Sequence, residues 1–318
     1  MDTPATVSAP PAPKTVLVTG ATGFIGGHLT KALAARGDTV WGLTRSGHEP
    51  GDGSPEHPVR RWFSWVSPDA PVPPAAVDGV DAVVHLAGEP VNGRWTDAKK
   101  KAIRESRVDG TRQLVNALAV AASRPAVLVS GSAIGYYGDR DDEILTESSA
   151  AGGDFLADVC QAWEAEALRA EPLDVRVVRL RTGLVMHPDG GALEKLLTPF
   201  KLGAGGRMGS GDQWWAWIHL DDLVRLIVFA IDHPDLAGAV NGTAPAPVRN
   251  ADFAKALGHA LHRPAILPAP AFALKLGLGE FATELTSSRR VVPRAAEAAG
   301  FAFRFPELAP ALTDLVGR

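Results

Sequence analysis

The sequence predicts an α/β fold in which a doubly wound parallel sheet precedes a smaller, mostly helical C-terminal lobe. Short runs of β-branched and apolar residues alternate with amphipathic stretches up to about residue 180, the pattern of repeated strand–helix–strand units. A glycine-rich turn joins the first run to the first amphipathic stretch. Beyond Pro188 the alternation weakens and short helical segments follow.

The first unit carries the clearest pattern. Thr15–Thr19 is a buried-type strand, and Thr39–Thr44 is the next. Between them Phe24–Arg36 is predicted as a helix, because apolar residues recur every four positions and Gly37 supplies a stop. Further strands are predicted at Val80–Leu86, Ala126–Val129 and Val175–Leu180, with helices at Thr96–Ala121 and Phe155–Arg169.

Two regions interrupt the regular alternation of strands and helices, one after the second strand and one beyond Pro188. Ser46–Pro74 is rich in Pro and Gly and is predicted to enclose one strand. A helix is expected from Asp221–Asp222, whose carboxylates would cap it. Three segments are therefore predicted: a mobile tail over 1–13, a domain of alternating strands and helices over 14–245 and a small C-terminal domain over 246–318.

Composition excludes several classes of protein. The chain has 318 residues and is 46% hydrophobic and 21% charged, as in a globular protein rather than a disordered one. The net charge is −4 and no block of Lys and Arg occurs, so neither nucleic acid nor a membrane is expected as a partner. Cys160 is the single cysteine, which argues against disulfides and zinc, and no metal is expected. Without a signal peptide or a long apolar span, a cytoplasmic protein is predicted.

The turn after the first strand reads TGATGFIG over residues 19–26. Glycines here permit a tight bend, the approach of a pyrophosphate and close packing of helix on strand, while the helix start offers free N–H groups to phosphate. A purely structural turn is the alternative. The predicted dinucleotide contacts in this segment are Gly20, Thr22, Gly23, Phe24, Ile25 and Gly26.

The end of the second strand selects the cofactor. A carboxylate there would bind the free ribose hydroxyl of NAD, but the chain reads Thr44, Arg45 and Ser46, with no carboxylate before Glu49. The guanidinium of Arg45 suits a phosphate, so NADP(H) is predicted. The alternative is an ordinary surface arginine.

These motifs resemble the extended short-chain dehydrogenase/reductase superfamily, of the sugar-nucleotide epimerase/dehydratase type. Beyond TGATGFIG, the strand ends at residues 85–88 (HLAG) and 130–132 (SGS) carry this resemblance. An atypical branch, known as epimerase family proteins of unknown substrate, is more similar still. Its motifs are residues 86–89 (LAGE), 94–96 (RWT), 105–107 (ESR), 135–138 (GYYG), 217–219 (WIH) and the tail from Gly300 to Leu308.

The resemblance implies a Rossmann fold and further cofactor contacts. Leu86, Ala87 and Gly88 lie where the superfamily's third strand–helix turn lines the cofactor. Arg107 lies where sugar epimerases carry Asn, so it would neutralise phosphate charge; a helix-surface cation is the alternative. Val185 belongs to a segment that passes the nicotinamide ribose. The resemblance also leaves a homodimer open.

The usual catalytic pair of this superfamily is missing. Its members carry Tyr-x-x-x-Lys on a helix, where the Lys lowers the Tyr pKa so that a phenolate acts as base. Here the corresponding helix has neither Tyr nor Lys. The remaining catalytic candidates are Ser132, at the strand end, and Tyr136 or Tyr137 on the loop that follows. Each has a packing or backbone-bonding alternative.

Several other residues carry weaker predictions. Cys160 is expected to be a small buried hydrophobe, and a catalytic thiol is the alternative. Glu164 is expected to be a solvated carboxylate, and a buried base is the alternative. The segment Gln213–Trp217 holds three indoles that would line a pocket for a flat ligand or pack between lobes. Gly203–Gly211 is predicted as a mobile lid.

Two functions from different classes remain. The first is an NADP(H)-binding oxidoreductase or epimerase that acts on a small carbonyl or hydroxyl substrate. The second is a non-catalytic NADP(H)-binding redox sensor or scaffold, suggested by the missing pair. A true sugar-nucleotide epimerase would further need a phosphate-binding set in the C-terminal lobe, for which Arg289, Arg290 and Arg294 are the candidates.

Overall fold

The fold was obtained as a computed structural model that describes residues 12–45 and 51–317. Residues 1–11 of the predicted tail, and Ser46 and Glu49 beside the predicted phosphate site, lie outside the described residues. The strands are β1 (Thr15–Thr19), β2 (Thr39–Thr44), β3 (Val59–Ser64), β4 (Ala82–His85), β5 (Val127–Ala133), β6 (Ile144–Leu145), β7 (Arg176–Thr182), β8 (Leu184–His187), β9 (Trp214–Trp215), β10 (Trp217–His219), β11 (Gly238–Gly242), β12 (Val248–Arg249) and β13 (Arg290–Val291).

Helices alternate with the first strands and then accumulate in the C-terminal part, as predicted. They are α1 (Phe24–Arg36), α2 (Pro74–Val77), α3 (Asp97–Val120), α4 (Phe155–Leu168), α5 (Gly191–Lys201), α6 (Leu220–Asp232), α7 (Asn250–Ala260), α8 (Ala271–Leu278), α9 (Ala282–Thr286), α10 (Arg294–Ala298) and α11 (Leu308–Val316). Short 3₁₀ turns cover Ile134–Tyr137, Glu171–Leu173 and Gly279–Phe281.

Seven strands form one parallel sheet in the order β3-β2-β1-β4-β5-β7-β11. The chain proceeds outward from β1 in one direction and then returns to start the other half at β4. Where the strand order reverses, a crevice forms outside the carboxyl ends of the strands, and doubly wound proteins bind ligands there. The predicted doubly wound parallel sheet is confirmed.

Apolar side chains cover both faces of this sheet. One layer packs α1 and α6 on the sheet through residues such as Leu29, Leu33 and Leu226, all fully buried. The other layer places α3 and α4 on the opposite face, with Leu114 and Leu118 among its buried residues. Burial on both faces explains why the strands read as continuous β-branched runs rather than as an alternating pattern.

A second core lies outside the sheet. It joins α5, α7 and α11 around Trp215, Trp217 and Phe253. Trp215 and Trp217 therefore pack inside, and only Trp214 of the three indoles remains at the surface, under the guanidinium of Arg249. This core draws residues from both sides of the predicted boundary at residue 245, which stays a prediction.

The predicted cap of α6 is wrong. The ring Nδ1 of His219 accepts the N–H of Asp221 at 3.1 Å and takes the capping position. The buried Asp222 carboxylate instead accepts the backbone N–H groups of Arg304 and Phe305 at 2.9 and 2.8 Å. It thereby fastens the C-terminal segment to the nucleotide-binding part.

One strand is longer than predicted. β5 was expected to end at Val129, but its ladder with β7 continues to Ala133. Ser130 and Ser132, which the family resemblance places at a strand end, lie in this ladder opposite Arg179 and Arg181. The extension carries Ser132 to the carboxyl edge of the sheet.

Candidate functional site

The glycine turn between β1 and α1 is shaped by two close approaches. Gly20 has φ +70°, and a Cβ on it would lie 3.0 Å from the backbone of Leu86 and Ala87. A Cβ on Gly26 would lie 2.1 Å from the carbonyl oxygen of Gly20. Both glycines are therefore required by the packing of the turn itself.

Gly23 differs from these two glycines. A Cβ there would meet one atom of the protein within 4 Å, the carbonyl oxygen of Gly20 at 3.1 Å. Gly23 is the N-cap of α1, no side chain caps that helix, and its first turn contains no acidic residue. The helix start thus presents free N–H groups and a positive dipole end, and the missing side chain leaves space for an anion beside them.

This turn opens into a cleft of about 660 Å³ at the switch point of the sheet. Most of the predicted cofactor residues line it: Gly20, Thr22, Gly23, Thr44, Arg45, Leu86, Ala87 and Gly88. Arg45 is exposed at the end of β2 and forms no salt bridge with a described carboxylate. The glycine turn and Arg45, which the sequence assigned to the pyrophosphate and the additional phosphate, therefore share one cavity.

The wall opposite the glycine turn was missed by the sequence reasoning. Trp65, Pro68 and Asp69 follow β3, and Ser106 and Asp109 lie on α3; all of them line the cleft. Trp65 lies in Ser46–Pro74, the segment predicted to enclose one strand, but its place in the cleft depends on β3 pairing beside β2. The spacing of residues in the sequence does not by itself predict that β3 is the neighbour of β2 in the sheet.

A buried hydrogen-bond network supports the floor of the cleft. The Nδ1 atom of His85 lies 2.7 Å from the hydroxyl of Thr19, and its Nε2 lies 3.0 Å from the hydroxyl of Thr111. The hydroxyl oxygen of Thr19 also accepts hydrogen bonds from the backbone N–H groups of Leu86 and Ala87. Burial, and then the charge of Arg107, lower the pKa of His85 to about 4, so the ring is neutral near pH 7.

Arg107 lies against the third turn, next to the cleft. Its guanidinium donates to the carbonyl oxygens of Glu89 and Ile103 at 2.9 and 3.2 Å and lies 3.3 Å from where a Cβ of Gly88 would be. It stacks over Trp163 at 5.2 Å and forms no salt bridge with the described carboxylates. Burial lowers the pKa of Arg107. A cation held by carbonyls alone is suited to receive an anionic ligand.

Four other predicted cofactor residues, Phe24, Ile25, Gly26 and Val185, are not among the residues that line the cleft. The ring of Phe24 packs on the backbone of Gly190 and Gly191, so the start of α1 touches the loop after β8. Val185 is buried in β8, where it pairs with Ile218. With Ile25 and Gly26, these residues can contribute backbone atoms to a ligand, and their side chains do not line the cleft.

At the ends of β5 and β7, a closed polar cluster surrounds Glu164. The Ser132 hydroxyl donates to one carboxylate oxygen at 2.7 Å. Arg181 donates to both oxygens at 2.7 and 2.9 Å, and Arg179 adds a bond of 2.9 Å. All four lone-pair sites are occupied. The predicted solvated position of Glu164 is wrong, because the residue is buried between two arginines.

The two tyrosines lie beside this cluster. Tyr137 is fully buried; its hydroxyl donates to Asn241 Oδ1 at 2.7 Å and accepts from Arg181 at 3.0 Å. Burial raises the pKa of Tyr137 to about 12, so a phenolate does not form near pH 7. Tyr136 is half-buried, and its ring lies 3.4 Å from the guanidinium carbon of Arg181.

Cys160 lies one turn before Glu164 on α4. The thiol is buried, and burial, together with Glu164, raises its pKa to about 11. It is therefore protonated and unreactive near pH 7, as predicted for a small buried hydrophobe.

The three arginines proposed for sugar-nucleotide phosphate do not form one set. Arg289 is buried and paired with Glu284, Arg290 stacks on Trp214, and Arg294 pairs with Glu297 at the surface. Over the described part of the chain, no group of three His, Cys, Asp or Glu side chains is arranged to hold a metal ion. Nor does any described helix have the length and apolar composition needed to cross a membrane.

The fold and the glycine turn define a Rossmann-type protein, and comparison with known proteins identifies the family. Residues 16–241 match the NAD dependent epimerase/dehydratase family, and residues 269–315 match a domain of unknown function, DUF1731. The chain belongs to the NAD dependent epimerase/dehydratase family.

Relatives extend over nearly the whole chain. An Arabidopsis thaliana protein named epimerase family protein SDR39U1 homolog, chloroplastic, is 43% identical over 95% of this chain and 86% of its own length. Epimerase family protein YfhF of Bacillus subtilis is 35% identical, covering 95% and 97%. The structure of human epimerase family protein SDR39U1 (isoform 2) with NADPH is 33% identical, with a TM-score of 0.84 over 96% of this chain and 99% of that one. The predicted resemblance to atypical epimerase family proteins is confirmed.

Proposed function

We propose that this protein is an NADP(H)-dependent oxidoreductase that acts on a small carbonyl or hydroxyl substrate. The observation that carries the proposal is the cleft, in which the open space at Gly23, the uncapped start of α1 and the exposed Arg45 face one cavity. The human relative solved with NADPH supports the choice of cofactor.

The residues present fit NADP(H). Gly20, Thr22, Gly23 and the first N–H groups of α1, at Phe24–Gly26, would hold the pyrophosphate, and Thr44 and Arg45 the additional phosphate. Leu86–Gly88, Arg107 and Val185 would line the nicotinamide half. When bound, the cofactor supplies or accepts a hydride.

The protonation state of the polar cluster suits carbonyl reduction near pH 7. Oxidation of an alcohol requires a base, but Glu164 is saturated by four donors and Tyr137 remains protonated. Arg179 and Arg181 share the single carboxylate of Glu164, so the cluster keeps an excess positive charge. That charge would stabilise the oxyanion that develops on a carbonyl as it accepts the hydride. The hydroxyl of Tyr136, or that of Ser132 once it leaves Glu164, would orient the carbonyl and donate the proton that completes the alcohol.

Calorimetry with NADPH and NADH tests the cofactor. Arg45→Glu should weaken NADPH binding about 10- to 100-fold, because charged hydrogen bonds to phosphate are lost, and should leave NADH binding nearly unchanged. Lys31→Glu is the matched control, because it reverses an exposed charge on α1 that does not line the cleft. It should change neither NADPH affinity nor NADH affinity. Equal affinity of the wild type for both cofactors would overturn the choice of NADP(H).

A carbonyl library tests the reaction. Purified protein should oxidise NADPH with at least one small carbonyl compound, and Ser132→Ala or Tyr136→Phe should lower kcat without changing NADPH affinity. Absence of turnover across a broad library, with tight NADPH binding intact, would contradict an enzymatic role.

The saturated cluster also favours a second function, a non-catalytic NADP(H)-binding sensor or scaffold. The hydroxyl of Ser132 is hydrogen-bonded to Glu164, and the hydroxyl of Tyr137 is hydrogen-bonded to Asn241 and Arg181. These polar groups are therefore already paired within the protein. In a deletion strain this function predicts rescue by Ser132→Ala and Tyr137→Phe and no rescue by Gly23→Val. Loss of rescue by folded Ser132→Ala protein would favour the enzyme.

A further inference from the structure

One helix of the C-terminal part breaks the usual relation between apolarity and burial. α8 has the sequence AFALKLGL, yet none of its residues is buried. A helix that is apolar all round is normally enclosed by protein or membrane. Phe272 and Leu276 are 76% and 77% exposed.

The exposed apolar surface continues into two neighbouring segments. Leu202 follows α5, and Ile266 and Leu267 precede α8; they are 79%, 77% and 55% exposed. The segments are joined by backbone bonds, among them the one from Leu267 N–H to the carbonyl of Gly205. We call Leu202, Ile266, Leu267, Phe272 and Leu276 the apolar patch.

The two segments that carry the apolar patch contain charges of one sign. Residues 195–211 and 253–279 contain no Asp or Glu, although the whole chain has a net charge of −4. The cations in these two segments are all exposed: Lys195, Lys201, Arg207, Lys255, Arg263 and Lys275. Lys195 and Lys255 pair with neighbouring carboxylates, whereas the other four form no salt bridge with a described carboxylate.

The sequence has no basic block, and the fold creates one. The Nε of Arg263 donates to the carbonyl of Lys201 at 3.1 Å, which brings two cations that are 62 residues apart to the rim of the apolar patch. Exposed Leu, Ile and Phe side chains rimmed by unpaired cations match the interface of an anionic lipid bilayer, where apolar groups enter the acyl boundary and cations meet headgroups.

We propose that the apolar patch and its cationic rim dock this protein on an anionic phospholipid surface. The inference is independent of catalysis and differs from the expectation, drawn from the linear sequence, of no membrane partner. The docked surface adjoins the nucleotide-binding part, because Arg94 donates to the carbonyl of Leu276 at 2.9 Å and Lys100 pairs with Glu280.

Vesicle flotation tests the proposal with the full chain. The protein should float with vesicles of phosphatidylglycerol and phosphatidylcholine, float weakly with phosphatidylcholine alone, and release as salt is raised. Lys201→Glu with Arg263→Glu should weaken binding by about 25-fold or more, at about five-fold per cation. Phe272→Ser and Leu276→Ser should each weaken it at least about ten-fold through lost apolar burial.

Controls separate docking from folding and from self-association. Lys31→Glu and Val120→Ser alter an exposed cation and an exposed apolar residue elsewhere, and both should bind vesicles as the wild type does. All variants should retain NADPH affinity and helix content. No binding to anionic vesicles would overturn the proposal. A lower sedimentation coefficient for Phe272→Ser than for the wild type, measured without lipid, would also overturn it. That result would show that the apolar patch joins copies of the chain.

Discussion

The nucleotide cleft and the cluster around Glu164 lie at the same edge of the sheet, but they differ in how fully their polar groups are hydrogen-bonded within the protein. At the cleft, α1 starts without a cap and Arg45 has no described carboxylate partner. Around Glu164, every carboxylate lone pair is bonded and Tyr137 has both a donor and an acceptor.

This difference separates binding from stability. Groups that the protein leaves unpaired are available to a ligand, and changes there should affect affinity more than folding. Groups that satisfy one another hold β5, β7 and α4 together, and changes there should affect folding first. The following predictions test that contrast from the largest expected effect to the smallest.

Removing the charge of Glu164 should cause the largest loss of stability. Glu164→Gln leaves the buried Arg181 and the half-buried Arg179 without their carboxylate, which should lower the free energy of unfolding by about 3–5 kcal/mol. Urea denaturation measures this. Glu105→Gln, at an exposed pair with Lys101, should cost less than about 0.5 kcal/mol. A loss below about 1 kcal/mol for Glu164→Gln would show that the cluster is not structural.

Filling the space at Gly23 should weaken NADPH binding strongly and leave the stability of the fold nearly unchanged. In Gly23→Val the added Cβ meets one protein atom, the carbonyl oxygen of Gly20, and the side chain enters the anion space, so NADPH affinity should fall about 100-fold. The melting temperature should change little. Gly26→Ala is the opposite case, because its Cβ would overlap the Gly20 carbonyl and should lower the melting temperature strongly.

The network under the cleft should make stability depend on pH. The pKa of His85 is about 4 in the folded protein, against an ordinary value of 6.5. Folding therefore favours the neutral ring, so this contribution is complete above pH 6.5 and is lost as the pH falls toward 4. Between pH 7.5 and pH 5 the loss should be about 2 kcal/mol.

Variants at two histidines isolate this effect. His85→Gln should flatten the pH dependence of the unfolding free energy over that interval, whereas His259→Gln, at an exposed helix position, should leave it as in the wild type. An unchanged slope in His85→Gln would assign the pH dependence to other groups.

The smallest effect is expected at the tyrosine pair. Tyr137→Phe removes bonds to Asn241 and Arg181 and should lower the free energy of unfolding by about 1–2 kcal/mol. Tyr136→Phe should change it by less than about 0.5 kcal/mol. Denaturant curves measured beside NADPH turnover give the readout. Loss of turnover in Tyr137→Phe at unchanged stability would make Tyr137 a catalytic residue after all.

Much of the cofactor site could be predicted because its signals are local. A glycine turn, the helix after it and the end of the next strand lie within about 30 residues, the length of one strand–helix–strand unit. The opposite wall could not be predicted in this way, since Trp65 and Asp109 reach the cleft through strand order and helix packing. Glu164 was misplaced for the same reason: its partners Ser132 and Arg181 are remote in sequence.

By itself the sequence determined the parallel sheet, the pyrophosphate turn and the absence of the usual Tyr and Lys, since each depends on periodicity or on residue identity at short spacing. Only the tertiary structure decided which polar groups are paired and which are free. It buried Glu164 between arginines, left Arg45 without a partner among the described carboxylates and gathered cations of two distant segments around α8. Pairing depends on which elements become neighbours in space, and that is set by packing of the whole chain.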